Sequence, residues 1–164
     1  MNYMQIDKAS ISNGPGVRVV LWVAGCPHHC FNCQNPETWS AYAGKPFDLL
    51  AEHELFNIVA RPYISGLTFS GGDPLFSPNI KTVTYLAHKY KEHFPTKTIW
   101  LWTGYEWPAV KSLEIINFLD VIVTGPFIES QKDYTLHYCG SRNQQVIDVK
   151  ASLADNSIIL YKED

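Results

Sequence analysis

The chain has 164 residues, with 13 Lys and Arg against 16 Asp and Glu, which gives a formal charge of −3 at pH 7. A hydrophobic fraction of 46% and a charged fraction of 18% are typical of a single soluble globular domain over 1–164, and they exclude a disordered or collagen-like chain. The mildly acidic balance lacks the basic footprint of nucleic-acid-binding proteins. The longest apolar run, 19–24, is too short to span a bilayer, and the first residues show no signal-peptide pattern. We therefore expect a cytoplasmic protein with neither a nucleic-acid nor a membrane partner.

Turn signals and apolar runs predict the elements of the first half of the chain. Asn-Gly-Pro-Gly at 13–16 predicts a turn, because glycine and proline supply the backbone angles that interrupt regular structure. An apolar, β-branched run predicts a buried strand over 17–24. A loop over 25–36, called the cysteine loop below, comes next. A helix is then predicted over 48–60, ended by Pro62.

The second half of the chain alternates predicted strands with helices. We expect Ser77 to cap one helix with Pro78 at its first position, and Pro108 to open another. Strands are predicted at 67–70, 98–102, 120–124, 145–149 and 158–161. This alternation predicts an α/β fold with a mostly parallel sheet, open or partly closed.

Conspicuous polar and glycine-containing segments follow the first four predicted strands. They are the cysteine loop, Gly71-Gly72-Asp73, Thr103-Gly104-Tyr105 and Thr124-Gly125-Pro126. Ligands of such sheets bind at the carboxyl ends of the strands. We therefore expect these segments to converge on one rim.

Three of the four cysteines form a compact C-x3-C-x2-C run at Cys26, Cys30 and Cys33. A reducing cytosol disfavours a disulfide framework, and clustered thiolates suit zinc, copper(I) or iron–sulfur clusters. A conventional four-cysteine cluster would need the distant Cys139. The favoured interpretation is a [4Fe–4S] cluster held by three thiolates, with one open iron.

A zinc site is the main alternative for this run. His28 or His29 could supply the fourth ligand, but four neighbours within one short loop close awkwardly around a tetrahedral ion. We instead expect both histidines to be exposed loop residues that tune hydrogen bonding near the cluster.

A C-x3-C-x2-C run after the first strand is the signature of radical S-adenosylmethionine enzymes. Within that superfamily, nearly the whole chain resembles the family of anaerobic ribonucleoside-triphosphate reductase activating proteins. The segments that carry the resemblance, besides the cysteine loop, are 13–18, 36–39, 70–75, 100–105, 125–127, 140–141 and 143–144. The chain departs from the family pattern at Thr124 and Pro126, where relatives commonly have Asp and Lys. It also has Gln34 where most relatives have an aromatic residue.

The resemblance implies a compact partial (βα) barrel and an activase. The open iron would bind the amino and carboxylate groups of S-adenosylmethionine, and one electron from the reduced cluster would cleave the bond between sulfur and the 5′ carbon. Methionine leaves, and the resulting 5′-deoxyadenosyl radical would remove a hydrogen from a glycine near the C-terminus of the large reductase subunit. A reduced flavodoxin-like protein is the expected electron donor.

The resemblance also assigns the site residues. Cys26, Cys30 and Cys33 would hold the cluster, and no side chain is expected to act catalytically, since the cofactor performs the chemistry. Gly71, Gly72 and Asp73 would bind the methionine amino group. Asn32, Cys33 and Gln34 would line the same ligand.

Other residues are expected to be structural. Cys139 is predicted to be a buried thiol without a role in the site. Trp100 and Trp102 alternate along a strand, so they should share one face and pack in the core. Arg18 is either a surface charge or an anchor for the cysteine loop.

Three rival functions stay open. One is another small radical S-adenosylmethionine enzyme, either pyruvate formate-lyase activase-like or a deazapurine carboxylate synthase. The others are a zinc-stabilised binding module and a simple electron carrier.

Overall fold

Parallel strands form the centre of the sheet in the computed structural model, which describes residues 1–163. Within those residues one seven-stranded sheet has the order β3-β1-β2-β4-β5-β6-β7. The strands are β1 Asn2–Ser10, β2 Arg18–Val23, β3 Lys45–Pro46, β4 Gly66–Gly71, β5 Thr98–Trp102, β6 Val121–Thr124 and β7 Gln145–Asp148. The strands β2, β4, β5 and β6 are parallel, while β1, β3 and β7 pair antiparallel at the two sides. The mixed α/β class and the parallel core are confirmed.

The helices connect these strands, and some begin differently from the prediction. They are α1 Leu49–Val59, α2 Ser77–His93, α3 Trp107–Val110 and α4 Val149–Asp155, with 3-10 turns at Pro36–Thr38, Glu114–Phe118 and Glu129–Gln131. Asp48 begins α1 by accepting a hydrogen bond from the Ala51 N–H at 2.9 Å. The predicted cap at Ser77 is wrong, because Phe76 is the N-cap and Ser77 is the exposed first residue of α2. No helix in 1–163 is both long and apolar enough to cross a membrane.

Two predicted elements near the end of the chain are corrected. The helix predicted to begin at Pro108 has only one turn, Trp107–Val110, and it is followed by the 3-10 turn Glu114–Phe118. The predicted strand at 158–161 is wrong, since that segment makes only an isolated bridge between Leu160 and Ile147 of β7. The chain reverses sharply after α4, where Asn156 adopts φ 54°, and the returning segment forms only two backbone hydrogen bonds to β7.

The two faces of the sheet are covered differently. Alternate side chains such as Leu21, Phe69 and Leu101 are fully buried in the core that α1 and α2 contribute to. The opposite face carries Trp100 and Trp102, whose rings stack with centroids 5.6 Å apart, so their predicted shared face is confirmed. Trp100 is buried as predicted, but the core position predicted for Trp102 is wrong, because its side chain is half-buried and lines a cavity. Helices therefore cover one face, and the other is left to loops and a cavity.

Arg18 lies at the amino-terminal ends of the parallel strands, opposite the end where the cysteine loop begins. Its guanidinium is fully buried and donates to the hydroxyls of Thr68 and Thr98, each at 2.8 Å, and to the Leu67 carbonyl at 2.9 Å. Burial lowers its pKa to about 10. Both alternatives for Arg18 are therefore wrong: it joins β2, β4 and β5 internally.

Candidate functional site

A cavity of about 600 Å³ lies at the carboxyl ends of the parallel strands. Its wall combines the cysteine loop, the segment Gly71-Gly72-Asp73, Thr103, Gly104 and Gly125. The expected convergence on one rim is confirmed for these segments. Residues of the turn after β1 and of the segment 127–144 complete the wall.

All three clustered cysteines line this cavity as free, half-buried thiols. Burial raises the pKa of the Cys26 thiol, while backbone N–H groups of His28 and His29 directed at it act in the opposite direction. The Asn35 N–H points at the Cys33 sulfur at 3.4 Å. Hydrogen bonds to a sulfur favour its thiolate form, and in iron–sulfur sites they help to set the reduction potential. The donor set therefore fits a cluster held by three thiolates.

The base of the cysteine loop is closed by backbone hydrogen bonds. The N–H groups of Gly25 and Cys26 donate to the carbonyls of Thr38 and Trp39 at 2.7 and 3.0 Å. The fully buried Asn79 adds side-chain bonds to the carbonyls of Ala24 and Asp73, both 2.9 Å. The sequence analysis missed Asn79, and the only available signal was a polar residue in the first turn of an otherwise amphipathic helix.

The glycine pair allows β4 to end against this loop. A Cβ on Gly71, whose φ is 106°, would lie 2.6 Å from the Val23 carbonyl oxygen, and one on Gly72 would lie 2.4 Å from that of Gly25. The amides of Gly72 and Asp73 donate to the same two carbonyls, each at 2.8 Å. The two glycines thus allow the end of β4 to approach the backbone at Val23 and Gly25. Both glycines also line the cavity, and their contact with a ligand stays a prediction.

Asp73 belongs to the wall of the cavity, although the residue is only 1% exposed. Its oxygens accept from the Leu75 N–H at 2.8 Å and the Gly104 N–H at 2.9 Å. The buried Thr103 hydroxyl lies 3.0 and 2.9 Å from the two oxygens. The carboxylate therefore joins the end of β4 to the end of β5.

His28 corrects one expectation for the cysteine loop. Its side chain is only 17% exposed, and Nε2 donates to Asp73 at 2.7 Å. His29 is exposed as predicted, and its ring packs against Trp39 with centroids 4.7 Å apart. The His28 ring thus contacts Asp73 and the His29 ring contacts Trp39, so the two rings do not face one metal ion. In 1–163 no group of three His, Cys, Asp or Glu side chains is placed to hold a single ion.

The remaining predicted residues are placed as follows. Gln34 is exposed and lines the cavity, whereas Asn32, with φ 55°, is exposed and does not contribute to the wall. The prediction that Cys139 is a buried thiol apart from the site is wrong in its placement, since Cys139 is half-buried and lines the cavity. Burial and then Asp133 raise the pKa of its thiol. Thr124 and Pro126 line a separate cavity of about 320 Å³.

The chain contains a 4Fe-4S single-cluster domain. Residues 12–147 match the family model described as a 4Fe-4S single cluster domain, which supports iron–sulfur over zinc. The chain is 42% identical over 146 residues to the anaerobic ribonucleoside-triphosphate reductase-activating protein of Enterobacteria phage T4, covering 89% of this chain and 93% of the relative. It is 37% identical over 150 residues to the protein of that name from Escherichia coli, covering 89% and 97%, and 38% identical over 148 residues to that of Haemophilus influenzae, covering 88% and 96%. The chain therefore belongs to the family of anaerobic ribonucleoside-triphosphate reductase-activating proteins, and the resemblance of its motifs is confirmed.

Proposed function

We propose that this protein activates an anaerobic ribonucleoside-triphosphate reductase in the cytoplasm. It would do so by generating a glycyl radical in the large subunit through reductive cleavage of S-adenosylmethionine at a [4Fe–4S] cluster. A reduced flavodoxin-like protein would supply the electron. The observation that supports this most is the placement of three free thiols on one wall of a cavity of about 600 Å³, in a chain whose relatives carry the activating-protein name.

The proposed cluster ligands are Cys26, Cys30 and Cys33. When bound, the cluster supplies the electron that cleaves S-adenosylmethionine into methionine and a 5′-deoxyadenosyl radical. The cavity volume falls within the range of about 300–1,000 Å³ usual for small-molecule sites. As the family resemblance implies, Gly71, Gly72 and Asp73 would bind the methionine amino group. Asn32, Cys33 and Gln34 would lie along the same ligand.

The protein also has to keep water away from a reactive radical. The segment 127–144 lies over the helix-free face of the sheet, where the Trp102 Nε1–H donates to the Tyr138 carbonyl at 2.8 Å. The Tyr138 ring packs edge-on against Trp100, with centroids 4.9 Å apart. These contacts hold the segment beside the cavity. A partner glycine suits this cavity, because a backbone without a side chain can approach closely.

A partial (βα) barrel of the radical S-adenosylmethionine type is part of the proposal. Four parallel strands with helices on one face and a cavity at their carboxyl ends support it. The antiparallel strands β1 and β7 flank these four strands and would limit closure.

An anaerobic assay tests the function directly. Protein reconstituted with iron and sulfide is reduced with dithionite, and 5′-deoxyadenosine is measured after addition of S-adenosylmethionine. The candidate large reductase subunit is added in parallel, and electron paramagnetic resonance is used to detect a glycyl doublet. We expect both signals, and we expect Cys33→Ala to abolish both.

The other outcomes assign the rival functions. Nucleoside product without a doublet would assign the chemistry to a different target, as for a pyruvate formate-lyase activase-like enzyme or a deazapurine carboxylate synthase. Neither signal from a cluster-loaded sample would leave an electron carrier. A colourless protein that binds zinc instead of a cluster would leave a binding module.

A further inference from the structure

The segment that returns after α4, residues 157–163, reaches the face of the sheet that the helices leave uncovered. The match to the cluster-domain family ends at residue 147, so this returning segment lies beyond it. The Tyr161 N–H donates to the Val146 carbonyl at 2.9 Å. The Tyr161 ring packs edge-on against the buried Trp100, with centroids 4.9 Å apart. The end of the chain therefore packs on the same face as the cavity.

Tyr138 connects the returning segment with the cavity wall. Its hydroxyl donates to Glu163 Oε1 at 2.5 Å, and its carbonyl accepts from the Trp102 Nε1–H at 2.8 Å. Its ring packs edge-on against Trp100, with centroids 4.9 Å apart. Burial and then Glu163 raise the pKa of Tyr138 to about 12, so the hydroxyl keeps its proton at neutral pH and donates. The sheet and the returning segment thus hold the same residue.

The backbone of Tyr138 depends on such contacts. Its φ of 64° lies in the left-handed region, which costs free energy for a residue with a Cβ. Tyr138 and the next two residues, Cys139 and Gly140, all line the cavity. If Tyr138 relaxed to a commoner backbone conformation, these two residues of the wall would move with it.

We propose that Glu163 and Tyr138 are positioning residues: Glu163 holds Tyr138, and Tyr138 keeps the segment 127–144 in place against the ligand in the cavity. The proposal rests on the proposed function, since S-adenosylmethionine is the expected ligand. Glu163 is the residue through which the returning segment acts on the wall, because it accepts the hydroxyl of a residue that lines the cavity.

The returning segment is itself weakly held. It forms two backbone hydrogen bonds to β7, and its side chains are largely exposed, with Leu160 at 53%. Such segments open locally at a small cost in free energy. A ligand that favours the closed wall therefore also favours the docked segment, because coupling between two sites is reciprocal.

The test uses four single variants of the cluster-loaded protein and one double variant. Glu163→Ala and Tyr138→Phe each remove the hydrogen bond, and the double variant combines them. Glu163→Gln keeps an amide oxygen that can accept the same hydrogen bond. Lys162→Ala is the matched control, because it changes an exposed neighbour in the same segment and leaves the bond between Tyr138 and Glu163 in place.

The first measurement is amide hydrogen exchange without ligand, followed by mass spectrometry. We expect the amides of 133–141 to exchange ~3–10-fold faster in Glu163→Ala and in Tyr138→Phe. The double variant should exchange no faster than the worse single variant, because both remove one bond. Glu163→Gln and Lys162→Ala should stay near the wild type. Equal exchange in Glu163→Ala and wild type would overturn the proposal.

The second measurement is the Kd for S-adenosylmethionine by equilibrium dialysis. We expect Glu163→Ala and Tyr138→Phe each to raise the Kd by ~3–10-fold and Glu163→Gln to recover most of the affinity. In wild type, added S-adenosylmethionine should slow exchange in 157–163, and in Glu163→Ala it should not. A contact that is only structural would leave the Kd unchanged and the exchange of 157–163 insensitive to the ligand, and this result would overturn the positioning role.

The proposed function fails in a different way. Wild-type protein that retains its cluster but neither binds S-adenosylmethionine nor releases 5′-deoxyadenosine would refute the activase reaction together with the positioning role. Wild-type protein that does both, with an unchanged Kd in Glu163→Ala and Tyr138→Phe, would refute the positioning role alone.

Discussion

Replacing Gly104 with alanine puts one methyl group where the His28 ring lies. The new Cβ would be 2.4, 2.7 and 2.8 Å from the ring atoms Cδ2, Nε2 and Cγ. If the ring stays, overpacking costs about 1–3 kcal/mol. If it moves, the buried hydrogen bond to Asp73 is lost, which also costs about 1–3 kcal/mol. The ring either stays or moves, whichever costs less free energy, so only one of the two costs applies.

The backbone of Gly104 does not require glycine, because its φ lies outside the left-handed region. Alanine there should therefore gain about 0.4–1 kcal/mol by restricting the unfolded chain. The net expected cost of Gly104→Ala is about 1–2 kcal/mol in the free energy of unfolding. In a His28→Ala background the ring is absent, so the same substitution should be neutral or stabilising by up to about 1 kcal/mol.

These substitutions form a double-mutant cycle of the wild type, Gly104→Ala, His28→Ala and the double variant. The free energy of unfolding of each is measured with urea on the metal-free protein under reducing conditions. The interaction energy between the two substitutions should be at least about 1 kcal/mol and opposite in sign to the cost of Gly104→Ala. Gly140→Ala is a control, because the atoms nearest to its Cβ would belong to the Phe127 ring, at 3.2 Å, and to Gln144 Oε1, at 3.7 Å, and not to His28. A cost of Gly104→Ala that is the same with and without His28 would refute the reasoning.

Three further predictions concern stability and metal content. Burial alone would raise the pKa of Asp120, but hydrogen bonds from two lysines and one backbone amide lower it below its ordinary value of 3.8. The charge of Asp120 therefore contributes stability above about pH 4, and this contribution is lost as the pH falls further. Asp120→Asn should lower the free energy of unfolding, measured with urea, by about 1–3 kcal/mol at pH 7 and by less at pH 3.5. Equal losses at the two pH values would contradict this. Arg18→Met should cost about 2–4 kcal/mol by the same measurement, because buried hydroxyl and carbonyl groups lose their donor, and a cost within error of zero would contradict the buried network. Cys33→Ala should lose the iron of reconstituted protein, whereas Cys139→Ala should keep it by iron analysis, and the reverse order would make Cys139 a ligand.

The parallel core could be predicted from sequence because its strands are buried on both faces. The sequences of β2, β4 and β6 are short apolar runs bounded by glycine or polar residues, a pattern that depends little on the rest of the chain. The antiparallel β1 was missed because its buried, half-buried and exposed residues follow no clear two-residue period. Its strand conformation depends on pairing with β2, which the local pattern does not encode.

The parts of the site that could be predicted are those that depend on the type of residue and not on the fold. Clustered thiols indicate a metal site, and paired glycines indicate a close approach, whatever the fold. His28 and His29 differ in a way the sequence could not reveal, since they are identical neighbours in one loop. Only the folded chain brings Asp73, 45 residues away, to one of them.

The cysteine loop combines a fixed base with an exposed tip, and the proposed reaction needs both. Gly25 and Cys26 at the base are held by backbone bonds, and His28 is bonded to Asp73. At the tip, Phe31 is 75% exposed. A cluster that must keep its orientation toward S-adenosylmethionine requires a base that does not move. In the proposed reaction a partner glycine would also have to reach this cavity, so the loop has to be fixed at its base without covering the cavity.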